Sequence, residues 1–278
     1  MSALPICFIF QGTQMPPATA RDRRNFERPD MANTVLLNNI EHQNLRVIPG
    51  YSQAFGDGVN QTAVYPTEFA EAQRDYPILF RKDDQGKYQA VVILGLDRDE
   101  NLFLTDQGWQ ARHVPAVHQR GPFLIGFQDQ DVDGEVRREP VIYVDLDNPR
   151  VSQTDGLPLF LQHGGSAPYL QHVSRVLQAL RAGVDMNEAM FAAFEAAGLI
   201  EPAELDIRLD EHTVYKVPGV YSINEDALAA LEGEALEQLH KSGFLRHAIY
   251  AAGSLSNINR LIDLKNRKRA AEVQTATG

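Results

Sequence analysis

The chain has 278 residues, a formal net charge of −11, 44% hydrophobic residues and 23% charged residues. These values are typical of a globular protein of one or two domains that can bury a sizeable core. The acidic balance argues against a general nucleic-acid binder, which needs a basic surface to displace counterions from phosphates. The single cysteine, Cys7, rules out an intramolecular disulfide and a cysteine-based zinc site.

The first 30 residues carry no convincing export signal. Their apolar run LPICFIF is short, and no Lys or Arg precedes it. We expect residues 1–30 to form a disordered extension and the fold to begin at Met31, which favours a cytoplasmic location. No apolar run approaches the roughly 18 residues that a bilayer-spanning helix needs, so we expect no membrane insertion.

Residues 31–160 are predicted to be rich in β-strands. Two apolar runs flank KDDQGK at 82–87, which supplies turn chemistry and predicts a hairpin. The pattern recurs around DQG at 106–108 and around DQDVDG at 129–134. Short strands joined by Gly and Asp turns indicate an antiparallel sheet, curled or barrel-like.

Residues 161–270 are predicted to be mainly helical, with one short β-hairpin within 205–223. Apolar residues at helical spacing predict a helix that Gly183 ends and a second helix that Asn187 caps. Residues 271–278 are expected to be a flexible tail. A β-rich N-terminal half followed by a mainly helical C-terminal half belongs to the α+β class.

The sequence predicts no metal site and no cofactor. Asp129, Asp131 and Asp133 match the opening of a calcium loop, but Pro140 stands where such a loop needs a bidentate glutamate. No HExxH motif and no three histidines with ligand spacing are present. The GxSxG nucleophile motif and the glycine-rich phosphate-binding motifs are also missing.

Three sets of residues remain as candidates for function. Phe103, Trp109 and Phe123 could line a pocket or fill the core of the β-rich half. A basic cluster could contact a partner or a phosphate group, or favour a helix C-terminus. It comprises Lys265, Arg267, Lys268 and Arg269. An enzyme would instead use polar residues that stand inside apolar or aromatic blocks. These are Glu41, His42, Arg74, Asp75, Tyr76 and His113.

Several long blocks of the sequence carry a family resemblance. The first half contains LLNNIEHQNLRV, PTEFAEAQRDYPILF and LGLDRDENLFLTDQGWQARHVPAVHQRGPF. The second half contains GLIEPAELDI, GVYSINEDALAAL and LHKSGFLRHAIYAAGSLSNINRLIDLK. From about residue 31 to about residue 269 the chain resembles the SapC-like bacterial proteins. The resemblance implies an accessory protein of an envelope or uptake system, and it implies no catalytic residue.

The leading hypothesis is a non-catalytic accessory protein that binds a protein or peptide partner in the cytoplasm. One alternative is an enzyme whose site lies in the β-rich half near Trp109. Another alternative is a structural component of a surface layer, which the family name suggests. The sequence indicates neither an oligomeric state nor the identity of a ligand.

Overall fold

The computed structural model describes residues 33–132 and 135–277. The predicted extension at residues 1–30, the expected start at Met31 and part of the third predicted turn, at 133–134, lie outside the described residues. Helices and antiparallel strands both contribute substantially to the described chain, which confirms the predicted α+β class.

The strands, in chain order, are β1 Thr34–Leu36, β2 Arg46–Val47, β3 Gln61–Ala63, β4 Ile78–Lys82, β5 Tyr88–Ile93, β6 Leu104–Thr105, β7 Gly108–Trp109, β8 Phe123–Val132, β9 Glu135–Asp145, β10 Val151–Ser152, β11 Leu157–Pro158, β12 Ile200–Arg208 and β13 Val214–Ile223. The helices are α1 Phe69–Ala72, α2 Ala116–Gln119, α3 Pro168–Ala196, α4 Glu225–Ala229, α5 Gly233–Lys241, α6 Leu245–Ser254 and α7 Ile258–Thr277. None of the helices in the described chain is both long enough and apolar enough to cross a lipid bilayer.

Contacts between residues divide the chain into two units, of which the first takes the residues up to Pro49 and Arg120–Leu177. Its described strands form two antiparallel sheets, with the orders β1-β9-β8 and β10-β2-β11. Strands β8 and β9 form the third predicted hairpin. They pair along its length, from Phe123 opposite Val144 to the predicted turn that joins the two strands. The predicted division of the chain near residue 160 stays a prediction.

The second unit takes Gly50–Gln119 and Gln178–Gly278 and contains a five-stranded antiparallel sheet. The sheet order is β12-β13-β4-β5-β3, and it includes the predicted β4–β5 and β12–β13 hairpins. Tyr221 of β13 pairs with Phe80 of β4, so strands from both predicted parts share one sheet. Strands β6 and β7 form the hairpin predicted around DQG.

The described strands do not close into a barrel, so the barrel-like part of the prediction is wrong. Strands β3 and β12 end the five-stranded sheet and do not pair with each other. Here helices pack against the sheet instead: Phe191 and Phe194 of α3 lie 5.0 and 6.3 Å from Phe80, measured between ring centroids. Burying each aromatic side chain of this kind contributes about 1.5–3 kcal/mol.

Helix α3 runs without interruption through Gly183 and Asn187, where the sequence predicts one helix to end and another to begin. A Cβ atom on Gly183 would lie 2.5 Å from the Cβ of Tyr65. Glycine at this position therefore permits close packing of the helix and does not end it. The Asn187 side chain caps nothing, because it donates a hydrogen bond to the carbonyl of Tyr88 at 3.2 Å.

Candidate functional site

An open, mainly polar pocket of about 470 Å³ lies in the second unit. Its lining consists of Arg74, Asp75, Trp109, Gln110, Ala111, Arg112 and Arg260. Arg74, Asp75 and Trp109 are candidates from the sequence. Guanidinium groups gathered around a single carboxylate suit the pocket to an anion, because arginine presents parallel donors to carboxylate or phosphate oxygens.

The first wall of the pocket forms where helix α1 leads into strand β4. The Glu68 carboxylate accepts the backbone N–H of Tyr65 at 3.0 Å, which closes the turn before the helix. Arg74 and Asp75 follow one residue after the end of the helix. Because the next residue, Tyr76, is fully buried, the backbone of this segment is held in place.

Asp75 joins the three chain segments that line the pocket. Its side chain is only 2% exposed. One carboxylate oxygen accepts from the guanidinium of Arg260, and the other accepts the backbone N–H of Arg112 at 2.9 Å. Since both oxygens are engaged in this way, Asp75 holds the other two walls in position.

Arg260 is fixed at the start of the C-terminal helix α7. Its guanidinium lies 5.2 Å from the centroid of the Phe103 ring, a cation–π distance. Just before the helix, the amide of Asn257 donates to the carbonyls of Gln73 and Tyr76 at 2.8 and 3.2 Å. These bonds anchor the start of α7 to the chain segment that forms the first wall.

Trp109 forms an aromatic wall whose position is set by a line of hydrogen bonds. Its indole N–H donates to the Tyr76 hydroxyl at 2.7 Å, and that hydroxyl donates to the carbonyl of His113. The indole also contacts Tyr51 and His118, at centroid distances of 5.6 and 5.0 Å. Burial raises the pKa of Tyr76 well above its usual value, so the phenol stays neutral and links the two groups.

Two buried carboxylates hold the segment at residues 110–119, which ends in helix α2. The Glu68 Oε2 atom lies 2.9 Å from Nε2 of His113 and accepts a backbone N–H of the segment at 2.8 Å. The Asp57 Oδ1 atom lies 2.8 Å from Nδ1 of His118. The two carboxylate side chains are 6% and 2% exposed. Because buried carboxylates need partners, these pairs fix the segment in one arrangement.

The pocket carries an excess of positive charge. Arg112 is exposed, and within the described residues its guanidinium has no hydrogen bond or ion pair. Arg74 pairs with Glu71 at 3.1 Å, but both side chains are about half exposed, and such pairs contribute about 1 kcal/mol or less. Nowhere in the described chain do three His, Cys, Asp or Glu side chains gather so that they could hold a metal ion.

The structure brings together six of the residues that the sequence singles out. They are Arg74, Asp75, Tyr76, Phe103, Trp109 and His113. Sequence reasoning missed five others that build the same region. These are Asp57, Glu68, Arg112, His118 and Arg260. Glu68 and Arg260 each stand beside a buried apolar residue, but the pairing of Arg260 with Asp75, which is 185 residues away, has no signal in the local sequence.

Glu41, His42 and Phe123 belong to the first unit. The Glu41 carboxylate accepts from the side-chain amide of Asn38 at 3.0 Å, and His42 Nδ1 accepts the Asn38 backbone N–H at 3.2 Å. Both residues thus stabilise a local turn. Phe123 is fully buried, with its ring 6.4 Å from Tyr169. Catalytic or binding roles for these three residues stay predictions.

The basic cluster on α7 comprises Lys265, Arg267, Lys268 and Arg269. Lys265 and Lys268 donate to Glu100 at 2.7 and 2.8 Å, and Arg269 donates to Asp210 at 2.8 Å. Burial opposes the ionisation of Glu100, but the hydrogen bonds from the two lysines and from two backbone N–H groups together outweigh burial and lower its pKa to about 2. Much of the charge of the cluster is therefore matched within the second unit, and contact with a partner stays a prediction.

Comparison with known proteins gives one match. No curated protein and no solved structure matches the chain. The family model of SapC matches residues 37–261, which include the segment around Asp75, strand β7 with Trp109, and Arg260. The match confirms the resemblance found in the sequence blocks. With more than half of its length covered, the chain belongs to the SapC family.

Proposed function

We propose that this SapC-family protein is a non-catalytic accessory protein that binds a protein or peptide partner. The observation that carries the proposal is the open pocket in which the guanidinium groups of Arg74 and Arg112 are available to an acidic group. Arginine suits this role because its planar fork recognises carboxylate or phosphate through parallel hydrogen bonds. Family membership favours a role in an envelope or nutrient-uptake system, and the composition favours a cytoplasmic location.

The hydrogen bonds of the candidate catalytic residues support binding over catalysis. Asp75 is engaged by Arg260, and His113 is paired with Glu68. Tyr76 has a raised pKa and links two groups of the protein. A general acid or base must reach the reacting group with a suitable pKa. In this pocket the same residues instead hold the walls in position.

Co-expression and capture of the full-length chain test the proposal. The tagged protein, as wild type and as the double variant Arg74→Ala with Arg112→Ala, is expressed with proteins encoded near its gene. We expect one partner to be captured in near-stoichiometric amount by the wild type and lost with the double variant. Arg98→Ala, an exposed arginine outside the pocket, is the control and should still capture the partner. Recovery of chaperones alone would refute the proposal, and a protein found only in the envelope fraction would contradict the cytoplasmic location.

A second candidate function, hydrolysis or acyl transfer, is favoured by one line of three side chains. His118 bonds Asp57 through Nδ1 at 2.8 Å and Thr62 through Nε2 at 3.2 Å. The order of hydroxyl, imidazole and carboxylate is that of a nucleophilic triad. Reaction with a fluorophosphonate probe tests it: labelling that Thr62→Val abolishes would support this function, and an unlabelled wild type would exclude it.

A further inference from the structure

We infer that the pocket recognises a carboxylate that is carried beside an apolar side chain. This inference rests on the proposed function, since the binding partner described there is what presents the carboxylate. Three features of the pocket select this ligand: the charge of the pocket, the exposed guanidinium of Arg112 and the fixed indole of Trp109.

The charges around the pocket match one negative charge better than two. Three guanidinium groups belong to Arg74, Arg112 and Arg260. Two carboxylates pair with them: Asp75 pairs with Arg260, and Glu71 pairs with Arg74. The difference is one positive charge. A carboxylate carries one negative charge, whereas a phosphate monoester carries about 1.5 to 2 at neutral pH.

Arg112 is placed to make the main contact with the ligand. Asp75 holds its backbone N–H at 2.9 Å, while its guanidinium is left without a partner among the described residues. A guanidinium can bind both oxygens of a carboxylate at once. Arg74 can add a second contact by leaving Glu71, because an exposed pair of this kind contributes little.

Trp109 supplies the surface for the apolar part of the ligand. The indole is half-buried and its N–H is held by Tyr76 at 2.7 Å, so the ring is in place before a ligand arrives. A wall that is already ordered loses little conformational entropy on binding. The volume of about 470 Å³ is much larger than a lone anion requires, so a neighbouring side chain can also enter.

Emission from Trp109 reports binding in the full-length protein, because it is the single tryptophan of the chain. A peptide offers such a carboxylate at its C-terminus or on an Asp or Glu side chain. Four probes separate these sources at constant ionic strength. They are acetyl-Ala-Ala-Leu with a free C-terminus, its C-terminal amide, acetyl-Ala-Glu-Ala amide and inorganic phosphate.

We expect a saturable change in emission with a carboxylate peptide and none with the amide of the first peptide. A response to acetyl-Ala-Ala-Leu alone assigns the site to a C-terminus, and a response to the glutamate peptide alone assigns it to a side chain. Responses to both support the shared chemistry. No change in emission with either carboxylate peptide up to millimolar concentration would overturn the inference. Equal binding of the amide, or tighter binding of phosphate, would also overturn it.

Matched variants connect the signal to the pocket. Arg112→Ala should weaken binding of the carboxylate peptide by about tenfold or more, and Arg112→Lys should weaken it less. Arg98→Ala should bind as the wild type does. Equal affinity of the wild type and Arg112→Ala would also overturn the inference. If the capture of a partner does not depend on Arg112, only the assignment of the ligand as a carboxylate is refuted. If the carboxylate peptide binds but no partner is captured, only the accessory role is refuted.

Discussion

Replacing Lys265 by methionine should lower the free energy of unfolding of the second unit by about 2–3 kcal/mol. The Lys265 side chain is 6% exposed, and its ammonium donates to the 4% exposed carboxylate of Glu100 at 2.7 Å. Removing one partner of a buried ion pair costs about 3–5 kcal/mol. The cost is smaller here because Glu100 keeps Lys268 at 2.8 Å and two backbone N–H donors at 3.1 and 3.2 Å.

Urea unfolding at neutral pH, followed by Trp109 emission, measures this loss, because the single tryptophan lies in the second unit. Methionine keeps an apolar stem of similar length, so the substitution removes mainly the charge. Lys241→Met is the matched control: its pair with Glu237 is exposed on α5, and its loss should cost about 0.5 kcal/mol or less. A loss for Lys265→Met below about 1 kcal/mol, well under the cost of a broken buried pair, would refute the reasoning, as would a loss equal to the control.

Three further predictions concern pH, packing and the hydrogen-bonded line beside the pocket. Despite burial, the hydrogen bonds of Glu100 lower its pKa from 4.5 to about 2, so the stability it contributes is complete above pH 4.5 and is lost as the pH falls toward 2. The difference in unfolding free energy between the wild type and Glu100→Gln should therefore shrink as the pH falls from about 4.5 toward 2, and a constant difference would contradict this. Gly183→Ala should destabilise the protein by about 1–3 kcal/mol, because the added Cβ atom has no space. Gly253→Ala, whose added Cβ atom would meet nothing within 4 Å, should stabilise it by up to about 1 kcal/mol. Thermal unfolding compares the two variants, and equal effects would count against the packing argument. Tyr76→Phe should lower stability by about 1–3 kcal/mol and shift Trp109 emission, because it removes the acceptor of the indole N–H; unchanged emission would show that this bond does not hold the ring.

Hairpins between neighbouring strands could be predicted because their turn chemistry is local. The turn at 82–87 joins β4 and β5 as expected, and the Asp83 carboxylate accepts the backbone N–H groups of Gln85 and Lys87 at 2.9 Å. The pairing of β13 with β4 could not be predicted in the same way. It depends on apolar faces that meet only after the intervening chain has folded, and a strand pattern does not name its distant partner.

Gly183 and Gly198 show that glycine after an apolar helical pattern can have two different structural roles. Both follow an apolar helical pattern, and such a glycine predicts a helix end. Gly198 adopts a φ of +66° just after α3, as that interpretation requires. Gly183 lies inside the helix because Tyr65 packs against it. The difference lies in a tertiary contact, which a single sequence does not reveal.

The candidate site was predictable where its residues interrupt an apolar block or are aromatic. Asp75 and Tyr76 meet this criterion, whereas Trp109 is a candidate as an aromatic residue that could line a pocket; the structure places all three in one hydrogen-bonded region. Nothing in the sequence around Arg112 or Arg260 shows that either residue is connected to the carboxylate of Asp75. Their importance comes from a buried carboxylate that is distant in sequence.

The positive charge of the pocket is set against the negative charge of the whole chain. A net charge of −11 repels an anionic ligand at long range. At about 0.1 M salt this repulsion is screened beyond roughly 10 Å, whereas a hydrogen-bonded guanidinium and carboxylate are in direct contact. Affinity for an acidic group therefore depends on Arg112 and the fixed walls around it, and not on general attraction. A nucleic-acid binder has the opposite design, in which a broad basic surface supplies affinity that falls steeply with salt. In this protein, a net negative charge that repels anions in general, with the Arg112 guanidinium unpaired among the described residues at a fixed site, favours selective recognition of a single carboxylate.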